Sequence, residues 1–225
     1  MNLQAAGKAH TFPSEKYENM FYTKKETDLA ISQWIGDKLS LYNNYYGNKY
    51  DQVYRLIERQ VEEKHADFVV IDNIMSLDLD TSKRDKWDAQ TQFIWQLKKL
   101  AVMSFSHVLF VAHPRKAVGF LRLDDVSGSA DLANLTDNAF IIHRNNADFK
   151  RLSKDMFKWK DDHVAFTGTN VIEIAKDRDM GTQDVFIPLW YEPETKRLKN
   201  SEAESITYGW LPDEFEAVDL DDIPF

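Results

Sequence analysis

Apolar positions along the chain follow two rhythms that alternate. "KKETDLAISQWIGDK" sets Leu29, Ile31, Trp34 and Ile35 roughly on one side of a helix, and "DQVYRLIERQVEEKH" spaces Val53, Leu56, Ile57 and Val61 helically behind a candidate N-cap, Asp51. Between them "LSLYNN" is a short apolar run that predicts a strand. "ADFVVIDNI" is apolar almost throughout, the pattern of a strand covered on both faces in a parallel sheet. "SKRDKWDAQTQFIWQLKKLAVMS" then predicts a helix turning Phe93, Ile94, Leu97 and Ala101 inward. "HVLFVAH" predicts a second buried strand, and "NAFIIHR" a third after a loop with a short helix. Helices alternating with apolar strands predict an α/β domain with a mainly parallel sheet flanked by helices. "VIEIAKDRDMGTQDVFIPLWYEPETKRLK" breaks the alternation with two β-rich runs around "RDMG", which predicts a C-terminal hairpin on the sheet edge.

Composition and charge divide the chain further. The 225 residues suit one domain with extensions: an irregular lead-in over 1–25, the α/β domain over 26–200 and an acidic, disordered tail over 201–225. Between Ser201 and Phe225 there are eight carboxylates and no Lys or Arg, so the tail carries −8 of the net −9. The remaining −1 gives the body no broad basic field, and any contact with nucleic acid must come from local loops. The absence of cysteine excludes disulfides and thiolate metal sites. No apolar run has the length of a membrane span, and "MNLQAAGKAHTFPSEK" lacks the apolar core of a signal peptide, so the expectation is a cytoplasmic protein without a membrane partner.

Two residues stand where α/β sheets place their chemistry, at the carboxyl ends of parallel strands. Asp72 ends "FVVID", as a carboxylate does that holds Mg²⁺ directly or through water beside a nucleotide. His113 ends "VLFVAH" in the equivalent place, where an imidazole can hydrogen-bond a phosphate. The structural alternative for each is an ordinary strand-end Asp and a structural His.

Taken in order, "DFVVIDNIMSL", "HVLFVAHPRK", "VSGSADLANLTDNAFIIHR" and "IAKDRDMGTQDVFIPLWYEPETKRL" resemble the RecA-like motor domain, of P-loop NTPase type, of hexameric replicative helicases of the DnaB, phage primase-helicase and Twinkle kind. "HPRK" and "DN" lean toward the Twinkle and phage branch. The resemblance covers roughly residues 50–200. It implies an ATP-dependent DNA helicase of a bacterial or phage-infected cell, working as a ring on single-stranded DNA with ATP and Mg²⁺. Asp72 is then the Walker B carboxylate that holds Mg²⁺, and His113 the phosphate sensor. Arg115, Lys116, Arg122 and the amides around Gly128 and Ser129 become a channel loop gripping DNA phosphates, with solvated loop charge as the alternative. Lys176 and Arg178 match the family's K-x-R, whose side chains share one strand face; Arg178 is implied as an arginine finger for a neighbouring subunit's site, with Lys176 supporting it.

One part of the family pattern is missing. No G-x-x-x-x-G-K-[ST] phosphate cradle occurs, and the nearest string, "NLQAAGKAH", has Asn2 for the first glycine, Ala9 for the hydroxyl residue and no strand before it. The resemblance is therefore to a motor domain without the Walker A strand, loop and helix. It leaves three expectations open: a split helicase whose cradle lies on another polypeptide, a partner that supplies Arg178 in trans, or an inactive relic. A non-enzymatic replication adaptor is the rival class. Its feature is the tail, where Asp219, Asp221, Asp222, Ile223, Pro224 and Phe225 put two apolar anchors on an anionic string. "DLDDIPF" resembles the tip of bacterial single-stranded DNA-binding proteins, which implies docking to replication proteins; the plain alternative is a solvated acidic tail.

Overall fold

The computed structural model of the chain describes residues 2–43, 47–78, 86–114, 119–126, 131–204 and 208–211. The chain divides into two compact units: Met1–Tyr42 with Gly168–Asn170 and Pro188–Phe225, and Asn43–Thr167 with Val171–Ile187.

In the smaller unit the first residues are more ordered than their polarity predicts. They form α1 (Asn2–Ala6) and an antiparallel ribbon of β1 (Thr11–Pro13) and β2 (Phe21–Thr23), followed by α2 (Lys25–Ile35). Asp28, in the first turn of α2, supplies the acceptor that joins them: Asn2 Nδ2 donates to its Oδ1 at 2.9 Å, and Thr23 Oγ1 donates to the same oxygen. Ala6 and Ile31 are fully buried. Gly7 has φ 70°, and a side chain there would collide with the Tyr208 ring.

The larger unit is built around α3 (Tyr50–Glu62), β3 (Phe68–Ile71), α4 (Lys86–Ser104) and β4 (His107–Phe110). Asp51 lies inside the first turn of α3, and Lys49 stands at the N-cap without a side-chain bond. Val53, Ile57 and Val61 of α3 meet Phe93, Ile94, Leu97 and Leu100 of α4 around Ile71 and Ile74. Leu100, rather than the expected Ala101, completes the inward row, because steps of four and three from Phe93 stay on one helix face. Strands β3 and β4 pair in parallel, from Phe68 opposite His107 to Ile71 opposite Phe110. No strand forms over residues 39–43, and the last position of "LSLYNN" lies outside the described residues.

Burial of these strands on both faces is not found. The helices cover the side bearing Val69, Ile71, Val108 and Phe110, and alternation hands the other side to Phe68 (57% exposed), Val70 (55%) and Leu109. The sequence shows that a strand is apolar on both sides; it does not show which elements cover it.

Next come α5 (Asp131–Leu135), β5 (Asn138–Arg144), α6 (Ala147–Phe157), β6 (Asn170–Asp177), β7 (Val185–Glu192) and β8 (Arg197–Lys199), with the four strands in the order β5-β6-β7-β8. The expected hairpin is present: β6 and β7 are neighbours joined through the Arg178–Asp184 turn, where Asp177 Oδ1 accepts from the amides of Asp179 and Met180 at 3.1 Å each. β7 and β8 are antiparallel, with Tyr191 opposite Leu198. Registered parallel pairing is seen in β3–β4. Helix α6 starts on Asn146, whose side chain accepts from the Phe149 amide at 2.9 Å. It buries Phe149 in a second core with Phe120, Ala165 and Val171, ringed by Phe157, Trp159, Phe166 and Phe186.

Candidate nucleotide site

The parallel register of β3 and β4 brings the two strand-tip candidates side by side. Val111 N donates to Ile71 O at 2.9 Å, so both chains leave the sheet together, with Asp72 at one exit and His113 at the other. The side chain between them is Asn73, joined to Asp72 by a cis peptide. Its Oδ1 accepts from Ser76 N at 3.1 Å and its carbonyl from Ser76 Oγ at 2.7 Å, which pins a single 3₁₀ turn over Ile74–Ser76. With the carboxamide so oriented, Nδ2–H donates to His113 Nε2 at 3.0 Å. Nε2 is then the accepting nitrogen, and a neutral ring carries its proton on Nδ1. Asp72 and His113 are both exposed, and the Asp72 carboxylate has no side-chain partner among the described residues. No group of three His, Asp or Glu among those residues is gathered to hold a metal. A single open carboxylate suits Mg²⁺ that arrives with phosphates and keeps several waters, and Asp72 fits that part; the chain has no loop to cradle the phosphates.

Lys176 and Arg178 form a separate cluster at the end of β6, on the C-terminus of α5, where a helix leaves carbonyls unpaired. Lys176 Nζ donates to Ala133 O at 2.7 Å and Asn134 O at 3.3 Å. Arg178 Nη2 donates to Asn134 O at 2.8 Å. Asp137 completes the latch: its carboxylate takes Lys98 Nζ at 2.6 Å and Arg178 Nε at 3.3 Å, and its carbonyl takes the Arg178 amide at 3.0 Å. Lys98 also reaches Leu135 O at 3.1 Å. Burial, and then the neighbouring Arg178 cation, lower the Lys176 pKa, while Asp137 opposes them.

Arg122, expected on a DNA-gripping loop, is held within the larger unit. Its guanidinium meets Asp184 Oδ1 at 2.8 Å and Glu173 Oε1 at 3.2 Å, and His143 Nε2–H donates to Glu173 Oε2 at 2.7 Å. Glu173 is completely buried. A guanidinium facing two carboxylates has little charge left for a phosphate. Arg115, Lys116, Gly128 and Ser129 lie outside the described residues, as do Asp219, Asp221, Asp222, Ile223, Pro224 and Phe225. Lys8, of the imperfect cradle string, pairs with Glu194 at 2.8 Å in the smaller unit. Sequence reasoning does not find Asn73, Asp137, Lys98, Glu173 or His143. Asn73 has a signal, the polar residue directly after the strand-tip Asp; the others have none, because their roles depend on contacts distant in sequence.

A model of the AAA domain family matches residues 4–119, a little over half of the chain. The chain belongs to that family. Asp72, Asn73 and His113 lie inside the matched stretch, and Lys176 and Arg178 beyond it. Over 82 residues, 34% of the chain, it is 35% identical to the Twinkle homolog protein, chloroplastic/mitochondrial, of Arabidopsis thaliana, covering 12% of that protein. Among solved structures it is similar to an isolated ATPase domain, with TM-score 0.51 and 18% identity over 69% of the chain and 52% of the other. It is also similar to a DnaB-like replicative helicase solved for its interactions with primase, with TM-score 0.58 and 16% identity over 88% of the chain and 45% of the other. The fold is RecA-like, and the chain resembles DnaB- and Twinkle-type motor domains. It spans about half the length of those solved chains. Among the described residues no helix is long and apolar enough to cross a membrane.

Proposed function

We propose that this chain is the later part of a ring-forming replicative DNA helicase motor, phage-associated, that drives translocation on single-stranded DNA by ATP hydrolysis. The observation that carries the reading is the pairing of Asp72 and His113, through Asn73, at the tips of two in-register parallel strands. When bound, Mg·ATP supplies the phosphoanhydride that is cleaved. Asp72 holds the metal's water shell or the metal itself, and His113, kept as an Nε2 acceptor by Asn73, changes partner when a phosphate arrives or leaves. Lys176 and Arg178 complete the site of a neighbouring subunit, Arg178 as the arginine finger. Arg115, Lys116 and the amides of Gly128 and Ser129 contact DNA phosphates, while Arg122 anchors the base of their loop through Glu173.

The phosphate cradle comes from a glycine-rich segment outside these 225 residues, on the same polypeptide or another. The bare row of Phe68, Val70 and Leu109, with Phe140 and Ile142 exposed on β5, supports this, since contiguous apolar surface of that kind calls for a covering element. A second reading, favoured by the missing cradle, makes the chain an adaptor that recruits replication proteins through its tail. ATP hydrolysis by the purified chain, with and without single-stranded DNA, and again with the cradle-bearing segment added, separates the two. The motor reading expects turnover only on addition and its loss in Asp72→Ala. Assembly with that segment but no turnover would overturn it.

A further inference from the structure

Outside the candidate nucleotide site, the smaller unit carries an apolar groove of about 440 Å³ with a cationic rim. Ala5, Trp34, Ile35 and Leu39 line it, and Lys38 and Arg197 edge it. Trp34 and Leu39 are each more than two-fifths exposed. Arg197 is the unusual member: its Nη1 is shut off from solvent and has no hydrogen-bond acceptor among the described residues. A buried guanidinium donor without an acceptor is costly, and a carboxylate is the partner that best relieves it.

The described chain ends beside this groove. Trp210 Nε1 donates to the carbonyl of Ala5, itself a lining residue, at 2.8 Å. Gly209 lies so close to Trp34 that a Cβ there would sit 2.7 Å from the indole ring. Leu211 is the last residue described, and the fourteen that follow, Pro212–Phe225, contain six carboxylates and close on Ile223, Pro224 and Phe225. Fully extended, fourteen residues reach about 45–50 Å, far more than a return to Trp34 requires.

We propose that the tip of this chain's own tail docks in that groove, with Ile223 and Phe225 against Trp34, Ile35 and Leu39, and with Asp221, Asp222 or the terminal carboxylate on Arg197 and Lys38. The groove is apolar where the tip is apolar and cationic where the tip is anionic, and the tether begins at its edge. At an effective concentration of about 1 mM for a short flexible tether, a tip of intrinsic Kd about 100 µM is docked roughly nine-tenths of the time. Docking withholds the same anchors that a replication partner would take, so the contact is autoinhibitory toward recruitment. The inference stands whether or not the chain is part of a motor.

The chain has no cysteine, so Ala217→Cys offers a unique site for a nitroxide in the full-length protein. The expected result is strong paramagnetic broadening of the Lys38 and Leu39 amides, reversed by Phe225→Ser combined with Ile223→Ser and weakened by high salt. Those tail substitutions leave both folded units intact, so an unchanged amide spectrum elsewhere separates undocking from unfolding. Absence of broadening overturns the proposal. Broadening that appears only when the nitroxide is on an unlabelled second copy, and grows with concentration, also overturns it in favour of self-association.

Discussion

The strand-tip pair and the β6-end cations are held in opposite ways. Asp72 and His113 are exposed and share one intermediary, Asn73, with a single hydrogen bond reaching the imidazole. Lys176 and Arg178 are tied by several donors to the carbonyl end of α5 and by Asp137 to Lys98. The open pair has the form of a half-site awaiting phosphate and metal. The latched cations have the form of groups whose direction is fixed in advance, so little ordering remains when an anionic ligand approaches. One chain thus contributes an unfilled acceptor face and a preset donor face, as a ring with sites between neighbours requires.

The sharpest way to break this contrast is Arg178→Ala in assembled rings. Turnover should fall about a thousandfold or more while nucleotide affinity stays nearly unchanged, read by hydrolysis and nucleotide titration together. An equal loss of both would put Arg178 on the nucleotide of its own chain. Asn73→Ala should cost about 1 kcal/mol in denaturant unfolding, through loss of the Ser76 cap and the His113 bond, and should free the His113 ring to exchange tautomers by NMR. Asp137→Asn should cost less than about 1 kcal/mol, since both its ion pairs are partly exposed. It should also lower the Lys176 pKa further, because Asp137 is the group that raises it. An unchanged Lys176 titration would mean that the latch is not electrostatic.

The smallest effect concerns pH. Lys176 is penalised for staying charged in the fold, so the unfolded chain holds its proton more tightly, and this group's contribution to stability rises as pH climbs through the lowered pKa toward the ordinary lysine value of 10.5. Lys176→Met should flatten that rise in alkaline unfolding curves; an unaltered slope would assign it to another group.

How much of this is legible in the sequence follows from which contacts are local. Strand β3 with its terminal Asp72, β4 with His113, and the period of α3 and α4 are written in consecutive residues, and the pattern places them within a few positions. Helix α6 escapes the pattern although Asn146 followed by Phe149 and Leu152 carries a cap and a helical step; its polar residues mask an apolar face that matters only against Phe120 and Trp159. The ordered first residues escape it for a similar reason: α1 and the β1–β2 ribbon are held by Asp28, a tertiary acceptor. Glu173 reads as one polar position in an apolar strand, and only the fold shows His143 and Arg122 converging on it. The bare faces of β3 and β4 are illegible because an apolar run states affinity for a cover, not its presence.

The central claim, that the two clusters serve different nucleotide sites, is tested most directly by mixing two inactive variants. Rings assembled with the cradle-bearing segment from equal amounts of Asp72→Ala and Arg178→Ala chains should recover about one site in four, each joining an intact Asp72 to an intact Arg178 from its neighbour. No recovery in mixed rings, with each variant inactive alone, would mean that both residues act on the same chain's nucleotide and would contradict the account.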